Sequence, residues 1–61
     1  MIELTSLHDE IFYLNIDRME KMQVLSDTLI TLIDGKVIRV KETPDEIIEK
    51  IIEFKNRVGW R

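Results

Sequence analysis

"TLITLIDGKVIRVKETPDEIIEK", residues 28–50, changes its apolar period half-way along. Before Thr43 the stretch is rich in β-branched residues, and Ile38 and Val40 alternate with charged neighbours. After Pro44 the isoleucines fall at 47, 48, 51 and 52. A period of two marks a strand, and spacings of three and four mark a helix. A strand pair therefore gives way to a helix, with a stop between them.

Asp34-Gly35 sits between two β-rich runs and predicts a two-residue hairpin, because both residues tolerate positive φ. That turn sets a register. Ile33 faces Lys36, Thr31 faces Ile38 and Leu29 faces Val40 on one face. Leu32 faces Val37, Ile30 faces Arg39 and Thr28 faces Lys41 on the other. The helix opens with Thr43 as N-cap, Pro44 at N1 and Glu46 at N3, a capping box. Acids at 45, 46 and 49 and bases at 55, 57 and 61 complement the helix dipole. Glu46–Lys50 and Glu53–Arg57 are i,i+4 pairs, and Gly59 is a C′ stop. Ile47, Ile48, Ile51, Ile52, Phe54 and Val58 form a wide apolar stripe.

Towards the start of the chain, "MIELTSL" (1–7) alternates, with Ile2 and Leu4 on one face and Glu3 and Thr5 on the other. "HDE" (8–10) is a turn, and "IFYL" (11–14) is a short second strand. Asn15 to Asp17 break the run. "RMEKMQVL" (18–25) fits either a helical turn or a strand; a strand ending at Ser26-Asp27 agrees best with its neighbours. The expected fold is α+β: a small antiparallel β meander of four to five strands with one C-terminal α-helix. It forms one domain over 1–61, with the meander in 1–42 and the helix in 43–58.

Sixty-one residues make a marginal core, which usually needs a disulfide, a metal, oligomerisation or ideal packing. The chain has no cysteine and a single histidine, so neither a disulfide nor a soft-metal site is expected. The missing cysteines, and an opening that reads as a strand rather than a signal peptide, fit a cytoplasmic protein. No apolar run is long enough to span a bilayer. A net charge of −3 disfavours sequence-independent nucleic-acid binding.

One helix covers one sheet face, yet the hairpin carries apolar residues on both. Ile30, Leu32 and Val37 are thus a candidate oligomer interface, unless the sheet curls onto itself. Burial of each is worth roughly 1.5–3 kcal/mol, which is large for so small a domain.

Catalytic chemistry is sparse. His8 beside Asp9 and Glu10 reads as a polar turn rather than an acid/base cluster. Ser6 and Ser26 lack a nucleophile motif, and Gly35 and Gly59 are isolated rather than part of a phosphate loop. Met19 and Met22 read as core filler. "KNRVGWR" (55–61) reads as a frayed helix end with Trp60 packed on the sheet, in preference to a membrane anchor. No cofactor, catalytic residue or metal ligand is implied.

Taken end to end, the chain resembles the FlbD family of small flagellar proteins, which includes the SwrD-like swarming motility proteins. The resemblance rests on "MIELTSLHDEIFYLN", on "DTLITLIDGKVIRVKET" and on an acidic helix ending in "IIEFK". It departs from the family at Ile16, where proline is frequent, and in its Gly59-Trp60-Arg61 ending. The resemblance implies a non-enzymatic protein that supports motor torque through the stator units, at the inner face of the membrane by the motor. Its partners would be a motor or stator protein and further copies of itself, with neither nucleic acid nor direct membrane insertion. Arg39, Lys41, Glu49 and Glu53 are the expected partner-binding residues. The alternative is a small RNA-binding regulator resembling the carbon storage regulator. That protein reads RNA with arginines where this chain has Ser6 and Thr43-Pro44.

Overall fold

A computed structural model describes residues 1–59. Five antiparallel strands precede one helix: β1 (Ile2–Thr5), β2 (Ile11–Leu14), β3 (Met19–Val24), β4 (Thr28–Leu32), β5 (Val37–Val40) and α1 (Pro44–Arg57). A single 3-10 turn, Ile16–Arg18, joins β2 to β3, with the Asn15 side chain accepting from the Asp17 amide. The α+β class and the ambiguous third strand are as the sequence implies. Trp60 and Arg61 lie outside the described residues, and with them the packing expected of Trp60 and the dipole role expected of Arg61.

The hairpin register differs from the expected one by one residue. The Leu32 amide donates to the Lys36 carbonyl at 2.8 Å, and the Gly35 amide donates to the Leu32 carbonyl at 2.9 Å. The loop is therefore three residues, Ile33 to Gly35. Gly35 takes φ +91°, and the Asp34 carboxylate accepts from the Lys36 amide at 3.1 Å. Two forces select this loop. A type I turn followed by one left-handed glycine needs positive φ at Gly35 alone. It also pairs Ile30 with Ile38 and Thr28 with Val40, gathering the apolar residues on one face. The two-residue register would set Ile30 against Arg39. Register follows the face that must be buried.

The strands form two sheets, β1-β2 and β3-β4-β5. They meet where the end of β1 touches the end of β5. Ser6 bridges to Val40, the Lys41 amide donates to the Thr5 carbonyl at 2.9 Å, and the Thr5 amide donates to Glu42 Oε1 at 2.9 Å. This clasp curls the strands around one core, and α1 covers the inner side. Ile2, Leu4, Ile30, Leu32, Val40 and Ile47 are buried, and Phe12, Met22, Ile38, Ile51 and Phe54 pack against them.

The curl removes the oligomer face expected from sequence. Ile30 and Leu32 point into the core, while Val37 is 53% exposed on the opposite face of the sheet. The three residues share no surface.

The helix is capped as its sequence requires. Thr43 Oγ1 accepts from the Glu46 amide at 3.2 Å, and Glu46 Oε1 accepts from the Thr43 amide at 2.9 Å. Gly59 takes φ +70° after the last turn. Only part of the wide apolar stripe is covered: Ile47 is fully buried, but Ile48 and Ile52 remain about half exposed. Thr43→Ala is expected to lower stability by about 0.5–2 kcal/mol. A urea midpoint unchanged from wild type would show the cap to be dispensable.

Candidate docking surfaces

The four residues expected to bind a partner do not form one patch. Arg39 lies on the outer face of the β3-β4-β5 sheet and donates to Asp27 Oδ2 at 3.4 Å. Lys41 follows just past the end of that strand and pairs with Asp9 in the β1–β2 loop. Glu49 and Glu53 belong to α1, on the inner side of that sheet, and Glu53 pairs with Arg57 at 3.7 Å. The sheet stands between the two pairs.

The outer sheet face has a character of its own. The register aligns Lys21, Thr31 and Val37 in one row and Gln23, Leu29 and Arg39 in the next. Ile33 extends the apolar part, 61% exposed at the hairpin loop. Apart from Glu20, exposed at the bulge in β3, the side chains these strands project outward are apolar, neutral or cationic. Strand parity alone distinguishes them once the register is known.

A second surface is an open groove of about 360 Å³ between α1 and the β1-β2 sheet. Met1, Glu3 and Tyr13 line one wall; Lys50, Glu53 and Arg57 line the other, with Phe54 between. Tyr13 is 65% exposed. Binding sites for small molecules are mostly enclosed and apolar. This groove is open and carries both signs of charge on its walls, which suits one or two side chains of a partner protein. No pattern of sequence spacing brings Glu3 and Tyr13 beside Lys50; the fold does.

The polar loop between β1 and β2 is occupied by its own turn. Ser6 Oγ accepts from the His8 and Glu10 amides, each at 3.2 Å. His8 is exposed at the turn. Among the described residues, no three His, Asp or Glu side chains converge on a point that could hold a metal ion. The positions where the RNA-binding alternative needs arginines are engaged in the protein's own structure: the Ser6 and Thr43 hydroxyls accept backbone amides, and Pro44 opens the helix.

A family model described as "Flagellar and Swarming motility proteins" matches residues 1–59. The chain belongs to the FlbD family. Neither a curated protein nor a solved structure matches it. In this FlbD protein the residues that carry the resemblance have architectural roles. "MIELT" supplies Ile2 and Leu4 to the core and Thr5 to the clasp, and "KET" supplies Glu42 and the helix cap. Among the described residues, no helix is long and apolar enough to cross a membrane.

Glu42 makes the FlbD clasp sensitive to acid. Partial burial is the largest influence and pushes its pKa up, but the hydrogen bonds from Thr5 and from its own amide, together with the Lys50 charge, outweigh it and hold the carboxyl below its ordinary 4.5. A folded pKa below the unfolded one contributes stability above pH 4.5, which is lost as pH falls through the folded value. Glu42→Gln keeps an acceptor without the charge. Thermal melts should show wild type above the variant at pH 7, with the gap closing below pH 4.5. A gap that stays constant into acid would remove Glu42 from the pH response.

Proposed function

We propose that this FlbD protein is a non-enzymatic cytoplasmic factor that raises flagellar motor output by contact with a motor protein, the stator unit first of all. The observation that carries this reading is the family match across residues 1–59. The groove between α1 and β1-β2 supplies a place for the contact. It offers an exposed tyrosine and an arginine, two residue types enriched among binding hot spots. Glu53, one of the four expected partner-binding residues, lines it. Arg39, Lys41 and Glu49 lie outside it.

Tethered-cell torque in a deletion strain is the test. Filaments should assemble, and torque should fall. Complementation with Tyr13→Ala or Arg57→Glu should leave torque low, although both variants fold, because Tyr13 and Arg57 are exposed. Normal torque in the deletion strain, or absent filaments, would move the role to regulation or assembly. Full rescue by both variants would keep the motor role and remove the groove from it.

A further inference from the structure

Two patches of this chain are complementary to each other and cannot meet within one copy. The first is the outer sheet face, with Leu29, Ile33 and Val37 bordered by Lys21, Arg39 and Lys41. The second is a flank of α1. Ile48 and Ile52, 45% and 48% exposed, form one i,i+4 row. Asp45 and Glu49 form the next, each three residues before an isoleucine. Side chains three and four apart are neighbours on a helix surface, so apolar and acidic rows lie side by side. We infer that the outer sheet face of one copy receives the Ile48–Ile52 flank of α1 of the next, in a head-to-tail contact between copies.

Charge selects this pairing over its rivals. Two sheet faces would bring cations against cations, and two helix flanks would bring acids against acids. Only the sheet face against the helix flank opposes unlike charges, and like-charge juxtaposition rejects wrong partners strongly. Spacing agrees as well. Residues i and i+4 are about 6 Å apart along a helix axis. Alternate residues on a strand are about 6.5–7 Å apart, so the isoleucine row can follow the outward row of a strand. Arg39 is held only by a 3.4 Å bond to Asp27 and its side chain is 56% exposed, which leaves it open to a second acid. Arg39 and Lys41 then meet Glu49 across two copies, although the fold separates them within one. Because the two patches differ, a pair of copies still has one patch of each kind unfilled, and the contact propagates to a ring or an open fibre. This contact does not depend on the motor reading.

Sedimentation velocity with two variants tests it. Val37→Asp spoils the sheet face, and Ile52→Asp spoils the helix flank; both residues are exposed, and circular dichroism verifies the fold. Wild type should grow in mass with concentration and shrink towards monomer in high salt. Each variant alone should be monomeric. Their equimolar mixture should give a one-to-one dimer and nothing larger, since only one intact contact can form. If an aspartate disturbs folding, Arg39→Glu and Glu49→Lys give the same test in another form: each alone should be monomeric, and their mixture, in which both contacts again oppose unlike charges, should assemble beyond a dimer. A wild type that stays monomeric overturns the inference. So does a variant that still assembles alone, or a mixture that fails to dimerise.

Discussion

Ile30→Asp is expected to abolish folding, and Val37→Asp to leave it intact. Both residues sit in the hairpin, and a two-residue Asp34-Gly35 turn would place them on one face. The three-residue loop separates them. Ile30 is fully buried between Met22 and Ile38, its cross-strand partners. No cation among the described residues lies in the core that surrounds it. An unpaired buried carboxylate either stays charged at a cost of several kcal/mol or takes up a proton. A domain of this length has about 3–9 kcal/mol in total, at about 0.05–0.15 kcal/mol per residue. Val37 faces solvent, and its aspartate should change stability by no more than about 0.5 kcal/mol. Circular dichroism at pH 7 separates the outcomes. Two folded variants, or two unfolded ones, would contradict the observed register.

Ile47→Ala should have the next largest effect, about 2–5 kcal/mol. Ile47 is the fully buried residue of α1 and packs into the cluster formed by Leu4, Ile30 and Val40. The loss combines the transfer free energy of the removed atoms with the cavity left behind. Ile52→Ala should cost less than about 1 kcal/mol, because half of Ile52 already meets water and alanine is the better helix former. Urea midpoints for the pair report which side of the stripe is core. Equal losses would mean that the helix is rotated about its axis from the orientation described.

The helix was legible because everything that defines it is local. Thr43, Pro44 and Glu46 lie within four residues, and their bonds close within that span. The hairpin was legible in place but not in register. Asp34-Gly35 suits two loop lengths, and the choice depends on Ile30 and Ile38 finding a common core, which lies beyond the turn itself. The junction of the two sheets had no local sign at all. Thr5 and Glu42 are 37 residues apart, and neither residue type announces a partner at that distance. That omission propagated: a flat sheet left Ile30 and Leu32 without cover, so they read as an interface. The candidate surfaces follow the same division. Arg39 and Lys41 at the end of one strand, and Glu49 and Glu53 on one helix, are each neighbours in sequence. Joining the pairs needed the position of the sheet between them.

The clasp also orders events during synthesis. Ile2 and Leu4 leave the ribosome well before Val40 and Ile47, which share their core and follow some forty positions later. Contacts of such sequence separation must bear their loop-closure entropy before any burial offsets it. The opening strand therefore travels with its two core residues bare until the capped helix has emerged. During that interval the bare apolar residues are open to wrong contacts. The Thr5 and Glu42 hydrogen bond, which brings the early and late parts of the chain together, marks its end.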